Sequence, residues 1–204
     1  MNAGLSNLAT LKAHLLPSTW QSVTNQDDAL LALGLGVLGM FEAYCSRQFP
    51  RVVGDVFTCA ADGAVVILPR SPVEEITTLE YQASYGGTWE AADDNAKRLT
   101  PSGVLSFFSA YTGGTLRITF TGGYWFDSTE DQSDTKPDGA VLVPYGLTLA
   151  WLLQCHSIYT RSNSDAVKAG LDSGNLGALS ALISGTELLP GVKSVLEAYR
   201  RQVA

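Results

Sequence analysis

The sequence predicts an α+β protein, a helical bundle built from both chain ends with an inserted antiparallel β domain that is sandwich or barrel-like. Apolar residues recur at helical spacing before Pro50, short β-rich runs separated by turn residues follow, and helical spacing returns at Pro144. We therefore divide the chain into four parts: an N-terminal helical part (1–50), the inserted β domain (51–125), an acidic loop (126–143) and a C-terminal helical part that completes the bundle (144–204).

The N-terminal part begins with a short helix whose leucines share one face. Ser6 or Asn7 is placed to cap its first turn, and Pro17 ends it. The leucines of this face are Leu5, Leu8, Leu11 and Leu15. Their spacing indicates a helix that packs on a core.

A longer helix follows, and we expect it to run from Asn25 to about Gln48. Thr24 or Asn25 supplies a capping oxygen, and Pro50 prevents further winding. Its apolar face consists of Leu30, Gly34, Val37, Phe41, Tyr44 and Cys45. The face is wide enough to pack on a core.

Because this helix is so apolar, it must be compared with a membrane span. The charge-free run between Asp28 and Glu42 is 13 residues long, whereas spanning a bilayer takes about 20. The sequence therefore favours a core helix and no membrane partner.

A second stripe of the same helix is formed by small residues: Ala32, Gly36, Gly39 and Ala43. Glycine in a helix costs about 1 kcal/mol relative to alanine, so we expect another helix to lie close against this stripe. On that interpretation Gly39→Leu destabilises the protein by about 1 to 3 kcal/mol through overpacking.

Three turn signals predict three hairpins in the inserted domain. They are Asp62-Gly63 between 52–59 and 64–68, Gly86-Gly87 between 73–82 and 88–90, and Thr112-Gly113-Gly114 between 104–110 and 115–121. The segment 127–139 has five acids, one base and no aliphatic side chain, so we expect a solvated loop. The order of its carboxylates does not fit an EF-hand calcium loop.

The C-terminal part opens with a predicted helix from Pro144 to about Arg161. Its buried stripe is expected to contain Leu147, Ala150, Trp151, Gln154, Ile158 and Arg161, with Leu149, Leu152 and Leu153 beside it. A Gly- and Ser-rich stretch (162–186) then leads to a final helix opened by Pro190.

Composition and motifs argue against several classes of function. A net charge of −7 and a pI near 4.7 oppose a surface that grips nucleic acid through Lys and Arg. No catalytic, cofactor-binding or metal-binding motif is present, so we expect no enzyme activity and no cofactor.

Cys45, Cys59 and Cys155 are typical of buried thiols in a reducing cytosol. The neighbours Cys155 and His156 point apart on a helix, and His14 has no partner motif.

Seven short segments carry a resemblance in their order and spacing. They are LKAHL (11–15), EAYCSRQF (42–49), PVEEI (72–76), GTW (87–89), ITFTGGY (118–124), VP (143–144), and LPGV with LEAYR (189–200). In these segments, of which 42–49 is the most characteristic, the chain resembles the head-tail connector (adaptor) family of tailed bacteriophages. The resemblance covers most of the chain, whereas the long β region and the acidic loop depart from smaller connectors.

The resemblance implies a non-enzymatic virion protein. Such a protein forms a ring of about twelve copies on the portal protein, receives the tail or a further neck protein on its other side, and leaves a bore that DNA crosses without specific binding. It implies a location in the virion neck, and in the host cytoplasm during assembly.

The resemblance also implies that the C-terminal segment, Pro190 to Ala204, contacts the portal or a neighbouring copy rather than serving as an indispensable core helix. The alternative, in which this segment docks on its own helical bundle, stays open at this point. The candidate assembly contacts are Val192, Val195, Leu196, Tyr199, Arg200 and Arg201.

Two alternatives remain open at this point. The first is a β-sandwich module that binds a carbohydrate or a protein through Tyr85, Trp89, Tyr124 and Trp125. The second is a hydrolase that uses Cys45 or Ser157 with His156, for which no base-orienting motif is present.

Overall fold

A computed structural model of the chain describes residues 7–22, 24, 26–83, 86–92, 97–126, 135–161, 183 and 185–201. The chain forms two compact units. The first comprises Met1–Ser46, Phe126–Lys136 and Leu142–Ala204, and the second comprises Arg47–Trp125 and Pro137–Val141. The first is helical and the second is an antiparallel β unit, which confirms the predicted α+β class with an inserted β domain.

The described part of the helical unit contains four α-helices. They are α1 (Leu8–Leu15), α2 (Asp27–Cys45), α3 (Tyr145–Arg161) and α4 (Pro190–Leu196), with short 3-10 turns at Ser18–Trp20 and Glu197–Tyr199. Asn7 caps α1 as predicted, because its Oδ1 accepts from the Thr10 N–H at 2.9 Å. Leu5 and Ser6 lie outside the described residues.

Helix α2 is shorter at both ends than the sequence predicts. It ends at Cys45 because Ser46 adopts a left-handed conformation (φ 51°) and returns its N–H to the carbonyls of the last turn. At the other end Gln26 occupies the capping position, where its side chain makes no capping hydrogen bond, and Asn25 lies outside the described residues. Asp27 pairs with Lys12 of α1, with 2.5 Å between Nζ and Oδ1.

The apolar face of α2 forms the centre of the helical unit. Its buried residues are Ala29, Leu30, Leu33, Gly34, Val37, Leu38, Phe41 and Cys45. The Trp151 indole N–H of α3 donates to the Gly34 carbonyl at 3.0 Å. By length and hydropathy alone α2 could cross a membrane, but eight of its residues face other elements of the same unit, as expected of a core helix.

The expectation for the small stripe of α2 is wrong over half of its length. A Cβ at Gly36 would lie 2.5 Å from Ile183 Cδ1, so this position is in close contact. Gly39 and Ala43 are exposed, and no described atom lies within 4 Å of a Cβ built at Gly39. The stripe is open there because α2 turns its other face toward α1, α3 and α4.

Helix α3 buries the predicted stripe except for Arg161, which is exposed at the end of the helix. Gln154 is fully buried and hydrogen-bonds the segment that leads into α4. Its amide donates to the Glu187 carbonyl at 3.2 Å and accepts from the Leu189 N–H at 2.9 Å. Tyr145, Leu149 and Leu153 remain 80, 39 and 47% exposed on the opposite side.

The β unit is a five-stranded antiparallel sheet with a small two-stranded addition. Its strands are β1 (Val52–Ile67), β2 (Val73–Gln82), β3 (Glu90–Ala91), β4 (Lys97–Leu99), β5 (Val104–Gly122), β6 (Tyr124–Trp125) and β7 (Val141–Leu142). The sheet order is β1-β5-β2-β3, with β4 also paired to β5, while β6 pairs with β7. Leu105, Leu116, Ile118 and Phe120 of β5 lie in its core.

Only one of the three predicted hairpins forms, the one that joins β2 to β3 around Gly86-Gly87. The other two are wrong, because 52–67 and 104–122 are each one continuous strand. The two turn signals lie opposite each other in the β1–β5 pair, where Asp62 faces Thr112 and Gly63 faces Tyr111. Their glycines sit beside register shifts and do not reverse the chain.

The chain enters the β unit through a packed arginine. The Arg47 guanidinium lies 5.0 Å from the Phe49 ring centroid and 5.7 Å from that of Tyr124, and it donates to the Ser71 carbonyl. The Tyr124 N–H donates to the Phe49 carbonyl at 2.7 Å. These contacts fix the segment after Ser46 to the end of β5.

We predict that Gly39→Ala stabilises the protein, because Gly39 has open space around it and alanine is the better helix former. The expected gain is about 0.5 to 1 kcal/mol in the free energy of unfolding, measured by urea denaturation. Gly36→Ala is the matched control, since Ile183 must shift to admit its Cβ. An equal gain at both positions would contradict the contact at Gly36.

We predict the opposite effect for Gly123→Ala. Gly123 has a φ of 102°, and a Cβ there would lie 2.3 Å from the Pro50 carbonyl oxygen, so the expected loss is about 1 to 3 kcal/mol. Gly54→Ala is the control, because Gly54 also has positive φ but no described atom within 4 Å of its Cβ position. Thermal melts should show a larger loss for Gly123→Ala.

Candidate assembly site at the C-terminal segment

The C-terminal segment is attached to the last turn of α2. The Arg201 N–H donates to the Cys45 carbonyl at 2.9 Å, and the Cys45 thiol lies 3.6 Å from the Leu196 carbonyl oxygen. The last carbonyls of a helix lack partners within the helix. The segment after α4 therefore helps to cap α2.

A polar cluster surrounds this attachment on the surface. The Tyr44 hydroxyl donates to Glu197 Oε1 at 2.5 Å, and Arg200 Nη1 lies 3.5 Å from the same oxygen. The Arg200 guanidinium also lies 5.6 Å from the centroid of the Tyr44 ring. The hydrogen bond to Glu197 raises the pKa of Tyr44, because an ionised phenol would lose this bond and face the carboxylate.

The six predicted assembly contacts differ in accessibility. Val192 and Leu196 are 2 and 0% exposed, so within this unit they belong to the core and offer a partner no surface. Val195, Tyr199 and Arg201 are partly exposed, and Arg200 is exposed. The apolar face of α4 packs against α3 and α2, and contact of the C-terminal segment with the portal or a neighbouring copy stays a prediction.

Sequence reasoning missed the polar cluster itself. Tyr44 and Glu197 are 153 residues apart, and no local pattern joins them. The spacing of Glu197 and Arg200, three residues apart on one helical turn, is the part of the signal that could have been found.

The residues considered for nucleophilic chemistry differ in their exposure and their partners. Cys155 is buried, and burial raises the pKa of its thiol. His156 is exposed, and its ring packs edge-on against that of His14 with 5.8 Å between centroids. Cys45 is buried beneath Leu196. Within the described residues, no group of three or more His, Cys, Asp or Glu side chains could hold a metal ion.

Two of the aromatic residues considered for a binding module are engaged within the described β unit. Tyr124 is 9% exposed and stacks on Phe49 with 6.4 Å between ring centroids. Trp89 is covered by the Arg117 guanidinium, 4.4 Å from its ring centroid. Tyr85 lies outside the described residues, as does the central stretch of the acidic loop, 127–134.

Comparison with known proteins gives a likeness of fold. No family model matches the chain, and no curated protein matches it. Two solved structures contain similar chains: the neck of an empty gene transfer agent particle computed with C6 symmetry, and the virion of a native gene transfer agent particle. In both the identity is 20%, the TM-score is 0.58, and the match covers 97% of this chain and 90% of the other. The chain therefore shares its fold with a component of these particles.

We predict that Glu197→Gln lowers the pKa of Tyr44 toward its ordinary value of 10.0, because the neutral amide no longer disfavours the phenolate. The raised value means that this contact contributes stability below about pH 10 and loses it as pH rises through the Tyr44 titration. NMR titration of ring-labelled tyrosine measures the change. Glu187→Gln, at an exposed acid of the same unit, should leave the Tyr44 titration where it is.

Proposed function

We propose that the protein is a structural component of the neck of a tailed phage or phage-like particle, a head-tail connector (adaptor) rather than an enzyme. One observation carries the proposal. The fold matches, over 97% of this chain, a chain of particles whose descriptions name a neck and a virion. The order of the connector-like segments in the sequence supports the same assignment independently.

The chemistry of the described surface suits this role. A ring requires two different patches on each subunit and shape complementarity, but no reactive group. The net charge of −7 would repel phosphate from a bore lined by this protein and let DNA cross without specific binding. We assign the protein a ring of about twelve copies, with the portal on one side and the tail or a further neck protein on the other.

The C-terminal segment is the proposed portal contact. Arg200 is exposed beside Glu197 and Tyr44, and its guanidinium can engage a carboxylate of the portal in two hydrogen bonds. Val192 and Leu196 of the same segment are buried within the helical unit. The protein then belongs in the virion neck, and in the host cytoplasm before assembly.

A β-sandwich binding module has less support. Of the aromatic residues proposed for its binding surface, Tyr124 is buried in the β unit and Trp89 is covered by the Arg117 guanidinium. The match over nearly the whole chain also includes the helical unit, which a free-standing β module would not require.

The proposal predicts that the purified full-length protein caps isolated portal rings of its own particle in negative-stain images. Arg200→Ala should lower the affinity for portal rings by about tenfold or more, the usual effect of losing a charge-assisted contact. Surface plasmon resonance with immobilised portal rings measures this change.

Arg161→Ala is the matched control, because Arg161 is an exposed arginine at the end of α3 in the same unit. Equal binding by wild type and Arg200→Ala would reject the portal contact. Failure of the wild-type protein to bind portal rings or to form rings would reject the connector function, and binding of a glycan instead would favour the alternative.

A further inference from the structure

The two histidines of the chain meet on the surface of the helical unit. His14 lies in the last turn of α1 and His156 in the second half of α3. Their ring centroids are 5.8 Å apart, with an angle of 70° between the ring planes, and both side chains are exposed. The packing of α1 against α3 therefore brings together two imidazoles from distant positions in the sequence.

Buried neighbours fix the backbone that carries each ring. Leu11, one turn before His14, is buried, and so are Cys155 and Ile158 on either side of His156. The two helices also contact each other directly. Ligands on packed helices are positioned more precisely than ligands on loops, so the side-chain torsions alone decide which ring nitrogens face each other.

Both imidazoles are available to a ligand. Within the part of the chain that the structure describes, the rings contact each other and form no hydrogen bond or salt bridge with a third side chain. A neutral imidazole has one nitrogen with a free electron pair, which can bind a metal ion. The pair therefore offers two nitrogen donors side by side.

The spacing of the rings fits one shared metal ion. An imidazole nitrogen binds Zn²⁺ at about 2.0 to 2.1 Å, which places the ion about 3.2 Å from the ring centroid. The centroids of two rings on one ion are then about 4.5 Å apart when the donors are at right angles and about 6.4 Å apart when they are opposite. The observed 5.8 Å lies within this range, so side-chain rotation can bring two nitrogens onto one ion.

We propose that His14 and His156 bind one divalent transition-metal ion between α1 and α3. Imidazole nitrogens favour Zn²⁺, Ni²⁺ and Cu²⁺, whereas Mg²⁺ and Ca²⁺ prefer oxygen ligands. Two protein ligands are fewer than the three or four of a catalytic or structural zinc site, so water completes the coordination and the ion exchanges readily. The bound ion joins α1 to α3, and this inference does not depend on the proposed connector function.

Isothermal titration calorimetry with ZnCl₂ on the untagged full-length protein measures the site. We expect one ion per chain, and His14→Gln or His156→Gln should each lower the affinity by about tenfold or more, because one of two donors is lost. MgCl₂ should give no binding. Cys59→Ser is the matched control, since Cys59 is the free thiol that is not fully buried, and this variant should bind Zn²⁺ as the wild type does.

Thermal melts separate a lost ligand from a lost fold. In EDTA both histidine variants should melt as the wild type does, because the replaced side chains are exposed. Zn²⁺ at ten times its dissociation constant should shift the unfolding equilibrium of the wild type by up to about elevenfold toward the folded state. It should leave the two histidine variants nearly unchanged.

NMR identifies the ligands directly, because only two histidines contribute imidazole signals. In spectra that correlate the ring ¹⁵N and ¹H nuclei, Zn²⁺ should shift both imidazoles along one binding curve that saturates at one ion per chain. A shift of one ring alone, or of the two rings along different curves, would overturn the proposal.

The remaining outcomes also decide the question. Zn²⁺ binding that survives in both histidine variants would overturn the proposal, and loss of binding in Cys59→Ser would assign the ion to that thiol instead. Absence of binding with Zn²⁺, Ni²⁺ and Cu²⁺ would show that the two rings only pack against each other. Binding to portal rings in EDTA tests the connector function separately.

Discussion

The pairing of β1 with β5 is the constraint on which the β unit depends. Strand β5 pairs with β1 along one edge, while β2 and β4 share its other edge at different heights. Each of those neighbours therefore takes its position from β5. Ion pairs across the sheet reinforce the arrangement: Arg117 of β5 grips Glu80 of β2 through two hydrogen bonds of 2.7 and 2.9 Å, which lower the pKa of Glu80.

Periodicity predicted the elements well, because it reports burial of one face. The helices α1, α2 and α3 and the buried stripe of α3 follow directly from apolar spacing. The ends of α2 were less predictable. Its length is set by the left-handed turn at Ser46, a conformation that serine adopts rarely and that no pattern in the sequence announces.

Turn signals were less reliable, because the same residues serve two geometries. A glycine with positive φ reverses the chain in a tight turn, but it equally accommodates a bulge within a strand. Gly63 and Gly113 accommodate irregularities within strands, since each lies in a strand that pairs with a long partner strand. Only the pairing of 52–67 with 104–122 decides between the two geometries, and that pairing is not a local property.

The candidate assembly site could be predicted only in outline. The sequence identified the exit of α2 and the C-terminal segment as separate features, and the structure shows that they meet through Cys45 and Arg201. Which side chains of α4 face outward depends on the position of α3, and Gln154 sets this by binding both Glu187 and Leu189. Contacts between such distant positions arise from packing and have no local signature.

The register shift between Ala60 and Asp62 in the β1–β5 pair restricts how this chain can change in length. Ala61 lies opposite Gly113 and Gly114, and the surrounding pairs resume at Ala60 with Thr115 and at Asp62 with Thr112. An inserted residue within either regular ladder would rotate every later side chain to the wrong face of the sheet. At Ala61 an extra residue only enlarges an existing irregularity. A change in chain length is therefore compatible with this unit at Ala61 and at the strand ends, and the pairing fixes the number of residues between these points.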